Sequence, residues 1–504
     1  MWHAPGMTKP QRYAAIAAAL TLVGHLIANP HYGFFRDELY FIVCGRHPAL
    51  GYVDQPPLVP LTAALSQVFG ESLFLLRAVA ALCAAAAVYA SCLLAIELGG
   101  GTFAVTLTAI AVALSPVLAA FGAKVSTDSD MLWTWPLAAL FAVRAVLRDD
   151  GRWWIGAGAA LGLAAEAKYS VLLFAAALVA GIALTAQRRW FAKAAFWDGV
   201  AVAGALALPS LGWQAAHGFP MIELLRNGQH GKNVVLTPAE FLVQQLLIVG
   251  PLFAPVWIAG LIALLRRADL RFLGYAYGLL IAIMIALHAK DYYPAAIYSV
   301  LLAAGAVAIE RWTRRVPLLQ PAIASVAFAS GFVLLPLVEP ILPAAELPAY
   351  MVAIHVHPAA SESARQGELP QDFADMHGWR ELAAAVVRVY RTAPAGERSG
   401  ATIVAGNYGE AAAIDVFGAP YGLPHAVSGH NQYYLWGPGS GDGRFVVDVG
   451  GDVRADRKLC TRAWVAATVS ARYAMPFERD LPIVVCRGLH VPLATLWPRQ
   501  KMYI

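Results

Sequence analysis

Charge is scarce in this sequence: only 14% of its 504 residues are Asp, Glu, Lys or Arg, against about 25% in soluble domains. That scarcity excludes an ordinary soluble globule. The formal charge of +5 is small for the length and sits mostly on arginines between apolar runs, which argues for orientation in a membrane and against a nucleic-acid partner. Cysteine is equally sparse. Of the five, Cys44, Cys83 and Cys92 lack metal-ligand spacing and read as ordinary apolar residues. No small-residue cleavage site follows Tyr13 to Ala28, which runs into Asn29-Pro30, so that stretch reads as a retained anchor. No internal repeat is visible, although repeats are frequent in transporters.

What the chain has in quantity is hydrocarbon. It is 59% hydrophobic with a mean hydropathy of +0.58, and its apolar runs approach the roughly 20 residues that cross a bilayer. Spans are expected at Tyr13 to Ala28, Ser72 to Leu98, Thr102 to Gly122, Ser129 to Leu147, Trp153 to Ala167 and Tyr169 to Ala186. Further spans are expected at Phe196 to Trp213, Ala239 to Leu265, Phe272 to Leu287, Pro294 to Ile309 and Leu318 to Val338. The expectation is a mainly α, polytopic membrane protein of about 11 transmembrane helices. Lys9 and Arg12, Arg144 to Arg152, Arg188 to Lys193, Arg266 to Arg271 and Arg311 to Arg315 then share one face. The positive-inside rule makes that face cytoplasmic, with the N-terminus. Alanine and glycine runs such as Ala78 to Ala90 and Gly156 to Ala165 suit close helix packing in lipid.

The opposite face collects the chemistry. Its first loop, residues 29–72, carries Arg36-Asp37-Glu38 and then Tyr52-Val53-Asp54-Gln55-Pro56-Pro57, and ionised groups beside hydrocarbon are costly and usually functional. Asp37 to His47 has the pattern of an amphipathic interfacial helix, with Leu39, Phe41, Ile42 and Val43 as its apolar side. Asp37 there is either a first-turn carboxylate that satisfies free N–H groups or a reactive acid. Leu58 to Phe69 is too short to span and is expected at the membrane surface. Asp128 and Asp130 follow Lys124, and Asp128 is open to the same two readings, cap or site. Lys168 emerges beside Glu166, a local partner by the simpler reading, and His288, Lys290, Tyr292 and Tyr293 form a third outer cluster. The two tyrosines equally suit an aromatic belt. Gln214 to Pro238, with Asn227, Gln229, His230 and Lys232 between glycines, reads as a lid or as a solvated loop.

Beyond Glu339 the composition changes. Pro340, Pro343, Pro348 and Pro358 mark a linker between a membrane domain, 1–340, and an extracytoplasmic soluble α/β domain, 341–504. A helix is expected over His377 to Tyr390, and strands near Ala401 to Ala405, Arg444 to Val449, Trp464 to Val469 and Ile483 to Cys486. Cys460 and Cys486 lie in this domain, where a disulfide is permitted. His430, Asn431, Tyr433, Tyr434 and Trp436 suit either glycan binding or contact with the membrane portion.

The order Asp37-Glu38, Tyr52 to Pro57, Asp128 and Lys290 to Pro294 resembles polyprenyl-phosphate-sugar-dependent glycosyltransferases of the GT-C fold. The closest groups are glycosyltransferase family 39, protein O-mannosyltransferases and aminoarabinose transferases. The resemblance implies an inner-membrane enzyme that moves a sugar from a polyprenyl-phosphate donor to a lipid, glycan or protein hydroxyl on the outer face, with inversion. It implies Asp37 as general base, with Glu38 and Asp128 orienting. It implies Lys290, His288, Lys168 and Arg36 as the donor-phosphate cations, and Tyr52, Asp54, Gln55, Asp130, Tyr292 and Tyr293 against substrate. One departure stands out: Asp54 is followed by Gln55 where the aminoarabinose-transferase pattern has acid then lysine. The cofactor requirement stays open, since Asp54, Asp128 and His288 are donor types that suit a divalent metal. The competing class is a polytopic transporter or lipid-linked-sugar flippase.

Overall fold

A computed structural model describes residues 7–356 and 365–504, so Pro358 of the expected linker lies outside the described residues. Every expected span coincides with a helix or a bent helix pair. Five are long and apolar enough to cross a membrane: Lys9–Ala28, Leu73–Glu97, Met131–Arg148, Ala194–Ala216 and Leu319–Leu337. Three more qualify as bent pairs, with breaks of 62° after Leu114, 106° after Ala183 and 93° after Val249. Pro116 and Pro251 explain two of those breaks, since each lacks the N–H that would continue the preceding helix. Arg152–Ala165, Arg271–Ala286 and Tyr298–Thr313 have 14, 16 and 16 residues, short of the usual span. The chain is a multi-pass membrane protein.

The chain forms two compact units. The first is Met1–His31, Phe74–Gly212 and Val235–Leu342; the second is Tyr32–Leu73, Trp213–Val234 and Pro343–Ile504. In the first unit small residues let backbones touch, as the sequence suggests: a Cβ added at Gly158 would collide with the Gly199 carbonyl. Its arginine-rich helix ends are cross-linked. Glu97 accepts from Arg144 Nε at 3.0 Å and from Arg148 Nη2 at 2.7 Å, while the buried Glu310 accepts from the Gly101 N–H at 2.7 Å and the Ala104 N–H at 3.2 Å.

The second unit is built on a four-stranded sheet of order β1-β2-β4-β3, with β1 Thr402–Ala405, β2 Phe445–Val449, β3 Cys460–Val469 and β4 Leu481–Leu489. β1 and β2 are parallel and the other pairs antiparallel. The parallel pair requires a crossover, and the helix Tyr408–Phe417 lies within it. Ile403, Val447, Ile483 and Val485 are fully buried, and the apolar face of the helix Trp379–Arg391 packs on this sheet. Cys460 and Cys486 are disulfide-bonded, their Cα atoms 5.7 Å apart. Cys44, Cys83 and Cys92 are free and buried, as apolar residues would be.

Candidate functional site

The helix expected from Asp37 runs Arg36–Arg46, and its apolar side is covered by protein. Leu39, Phe41, Ile42 and Val43 are all buried, because Leu58–Ser66 and Tyr408–Phe417 pack against it. In the stretch Leu58 to Phe69, the side chains of Leu61, Leu65, Val68 and Phe69 are exposed.

The two adjacent acids do different things. Glu38 is fully buried and its Oε2 accepts the Phe35 N–H at 2.8 Å, so the cap-like satisfaction of a free first-turn donor falls to Glu38. Asp37 points elsewhere, with its side chain 32% exposed. Its Oδ1 accepts from the Tyr408 hydroxyl at 2.7 Å and lies 3.6 Å from Arg36 Nε. Arg36 is wedged in place: its N–H donates to the Asp375 carbonyl at 3.0 Å, its Nη1 is 3.7 Å from Asp375 Oδ1, and its guanidinium lies 5.5 Å from the Tyr408 ring centre. Tyr408 is aimed by its helix start. The Asn407 side chain accepts the Gly409 and Glu410 N–H groups, and Gly409 carries no Cβ where one would strike Arg36.

A second carboxylate lies in the same unit. Asp54 Oδ1 accepts from the Tyr40 hydroxyl at 2.9 Å and Oδ2 from Asn431 Nδ2 at 3.0 Å. Burial raises its pKa to about 6, with a contribution from the negative Asp37, against the lowering effect of these donors. The ring of Tyr40 is 4.7 Å from that of Tyr408, so two phenols in contact serve the two acids. Tyr52 and Gln55 face inward. The Tyr52 hydroxyl donates to the Cys44 carbonyl at 2.9 Å, and Gln55, only 2% exposed, reaches Cys44 Sγ at 3.8 Å. Both are buried where substrate contact was expected, because their side chains close the loop onto the helix Arg36–Arg46. The loop backbone is pinned by the Val53 N–H to Gln432 Oε1 at 3.1 Å and by Gln214 Nε2 to the Tyr52 carbonyl at 2.8 Å.

The remaining candidates lie in the first unit. Asp128 does not cap the helix Met131–Arg148, whose N-cap position is Asp130. Its carboxylate takes both oxygens to Lys168 Nζ, at 2.8 and 2.6 Å. Lys168 therefore pairs with Asp128 and not with Glu166, which accepts from the Ser210 hydroxyl at 2.8 Å. The Lys168 ammonium sits 4.4 Å from the Tyr293 ring and 5.3 Å from that of Tyr292, and Lys290 is 5.9 Å from the latter. Asp128, Lys168, Tyr292, Tyr293 and Lys290 thus form one cluster. His288 is exposed with a left-handed backbone, φ 47°. Asp130 turns instead to Cys83 Sγ at 3.8 Å and Trp133 Nε1 at 3.4 Å. Among the described residues no three His, Cys, Asp or Glu side chains are disposed to hold a metal ion, so the expectation of an ion on Asp54, Asp128 and His288 has no cluster behind it.

Sequence reasoning missed the phenols. Tyr40 lies one helical turn after Asp37 and carried no charge to attract notice; Tyr408 is more than 300 residues away, |i−j| = 371. Asn431 and His430 belong to the unit's interior. His430 Nε2 contacts the Ile504 carbonyl at 3.1 Å and burial lowers its pKa to about 3, while the Tyr433 hydroxyl donates to Asp415 at 2.7 Å. The Gln214 to Pro238 stretch contains the helix Pro220–Gly231. It is tied down by Asn227 Nδ2 to the Tyr503 carbonyl at 2.7 Å and by Lys501 to Glu223 at 2.6 Å.

Residues 54–213 match the family model described as dolichyl-phosphate-mannose-protein mannosyltransferase. Two solved structures align over nearly the whole chain. ArnT from Cupriavidus metallidurans bound to undecaprenyl phosphate superposes with a TM-score of 0.61 at 13% identity, covering 93% of this chain and 97% of that one. Its apo state gives 0.62 at 14%, covering 95% and 98%. This is the GT-C glycosyltransferase fold. No curated protein matches the sequence. The matched segment begins at Asp54, inside the first loop, and the GT-C likeness extends through the C-terminal unit. The departure at Gln55 therefore stands within a GT-C fold, in a side chain that is buried and uncharged.

Proposed function

We propose that this chain is a membrane glycosyltransferase that moves a sugar from a polyprenyl-phosphate donor to a hydroxyl acceptor at the outer membrane face, with inversion. The observation that carries the reading is Asp37, a half-buried carboxylate held by a phenol at 2.7 Å and flanked by a guanidinium, on a GT-C fold. A hydroxyl is a poor nucleophile at neutral pH, so a carboxylate must take its proton as the bond to the anomeric carbon forms. Oδ1 of Asp37 is occupied by Tyr408, which leaves Oδ2 to receive that proton. The anomeric C–O bond to phosphate breaks as the new C–O bond forms, and the electron pair leaves on the phosphate. That leaving group needs cations rather than an acid.

The cations divide by their partners. Arg36 is engaged by Asp37 and Asp375, which suits it to positioning Asp37. Lys168 gives two contacts to Asp128 and retains one donor; with Lys290 and His288 it is proposed to hold the phosphate. Asp54, Asp130, Tyr292 and Tyr293 are proposed to contact the sugar or acceptor. In this reading the N-terminus is cytoplasmic, and the C-terminal domain is extracytoplasmic, where the Cys460–Cys486 bridge suits an oxidising compartment. Purified protein in liposomes with a radiolabelled polyprenyl-phosphate sugar and a membrane extract as acceptor source tests it. Label should pass to an acceptor with wild type and fall by about 10² or more with Asp37→Asn. Undiminished transfer by that variant would overturn the base assignment, and movement of labelled lipid across the bilayer without transfer would favour a flippase.

A further inference from the structure

The arginine-rich end of the first unit holds a half-open cavity of about 220 Å³. It lies between the helices Ala254–Arg266 and Tyr298–Thr313, which pack on each other along their length, and it opens where both helices end. The helix Tyr298–Thr313 starts just after Tyr292 and Tyr293 and carries Arg311 in its last turn, and it lines the cavity from Ala304 to Trp312, roughly 9–21 Å along the helix from its start. Its walls are of two kinds. Ile262, Ala304, Val307 and Ala308 supply an apolar side, and Arg266, Arg267, Arg311 and Trp312 a cationic and aromatic rim.

The guanidinium groups are not equally committed. Arg267 is paired with Asp269, Nη2 to Oδ2 at 2.6 Å, and Arg311 gives one Nη2 donor to the Leu98 carbonyl at 2.8 Å. Arg266 is exposed and makes no side-chain hydrogen bond or ion pair among the described residues. The nearby Glu310 is spent on the Gly101 and Ala104 N–H groups, and Asp269 on Arg267. Positive charge in an inward loop is expected from topology alone. A concave apolar slot beneath that charge is not, and a basic pocket between membrane helices at the cytoplasmic side matches the chemistry of lipid phosphate recognition.

We propose that this cavity binds the phosphate headgroup of an anionic phospholipid. Arg266 and Arg311 take the phosphate oxygens, the first acyl carbons lie along Ile262, Val307 and Ala308, and Trp312, 61% exposed, sits at headgroup level. The apolar wall selects a lipid over free phosphate, because an inorganic ion would leave that wall against water. The site is separate from the transfer chemistry and does not depend on it.

Native mass spectrometry of the full chain released from nanodiscs containing equal phosphatidylglycerol and phosphatidylcholine tests the assignment. Wild type should retain phosphatidylglycerol preferentially. Arg266→Ala and Arg311→Ala should each weaken retention about fivefold, while Arg266→Lys should keep most of it. Ile262→Trp, which leaves the charges intact and fills the slot, should also lose it; all variants are first checked for an unchanged unfolding temperature, and any that fails is replaced by glutamine at the arginine positions or phenylalanine at 262, with the same loss expected. Equal retention of the two lipids by wild type, or retention unaffected by both alanine variants, would overturn the proposal. Displacement of the lipid by millimolar inorganic phosphate would overturn it in favour of a free-anion site.

Discussion

Removing the Tyr40 hydroxyl tests how Asp54 is kept ionisable. Asp54 has its pKa raised to about 6 by burial, and the Tyr40 hydroxyl at 2.9 Å is one of the groups that hold it from rising further. A hydrogen bond to a charged acceptor contributes about 1.5–3 kcal/mol, and one pKa unit corresponds to about 1.4 kcal/mol. Tyr40→Phe should therefore move the Asp54 pKa up by about one to two units, to about 7–8. The same hydroxyl accepts the Gln432 N–H at 3.1 Å, so a stability loss of about 1–3 kcal/mol accompanies the change. Isotope-edited infrared spectroscopy of labelled aspartate, with Asp54→Asn as the subtraction, reads the ionisation directly. The acid limb of the transfer rate should move with it, and activity should recover at about pH 8.5. A carboxylate band that titrates unchanged in Tyr40→Phe would refute the reasoning, and so would one that moves to lower pH.

Tyr408→Phe should lower kcat by about tenfold to a hundredfold with little change in KM, because it removes an orienting charge-assisted bond to Asp37 and no proposed substrate contact; a change confined to KM would count against it. Lys168→Met leaves the Asp128 carboxylate, whose side chain is 10% exposed, without its counter-ion and should cost about 3–5 kcal/mol of unfolding free energy. Adding Asp128→Asn should restore most of that loss, and a purely additive double variant would argue against the pair. Asp448, buried beside Asp456, has its pKa raised to about 8 by burial and by that neighbour. A raised carboxyl pKa stabilises the fold fully below the unfolded value and loses that contribution as pH rises through the folded one, so thermal unfolding should move to lower temperature from about pH 4 to about pH 8 and level off above it, and Asp448→Asn should abolish the trend. Reducing Cys460–Cys486, which closes a separation of 26 residues, should destabilise the second unit by about 3–4 kcal/mol.

The membrane helices were legible because hydrophobicity and arginine placement are properties of contiguous residues. Even the strands were: Phe445–Val449 and Leu481–Leu489 stand where short apolar runs lie between Gly, Pro and Asp. What the sequence could not convey was who faces whom. Leu39 to Val43 reads as an interfacial stripe until Tyr408–Phe417 is seen to cover it, and no local pattern announces a partner 371 residues away. Lys168 reads as a partner of Glu166 because they are two residues apart, yet both lie past the end of the helix Arg152–Ala165, where Glu166 accepts from the Ser210 hydroxyl instead. The lysine's reach therefore goes to Asp128, at |i−j| = 40.

Adjacent acids at a helix start illustrate why local chemistry alone could not decide between cap and base. The first turn of Arg36–Arg46 offers free N–H groups and the positive end of a dipole, so either carboxylate could have been spent there. Only one is needed. Glu38, third in the helix, has the reach to bend back to the Phe35 N–H at 2.8 Å, and it is fully buried in doing so. Asp37, second in the helix, finds that donor already taken by Glu38 and turns toward Tyr408. Shortening the capping residue should therefore reverse the arrangement. In Glu38→Asp the side chain loses one methylene and its bond to Phe35, a cost of about 1 kcal/mol, and the vacated donors become open to Asp37. The variant should then lose transfer activity although it keeps every charge, and Glu38→Gln, which keeps the length, should retain it. Full activity in Glu38→Asp would mean that Asp37 owes its orientation to Tyr408 and Arg36 alone.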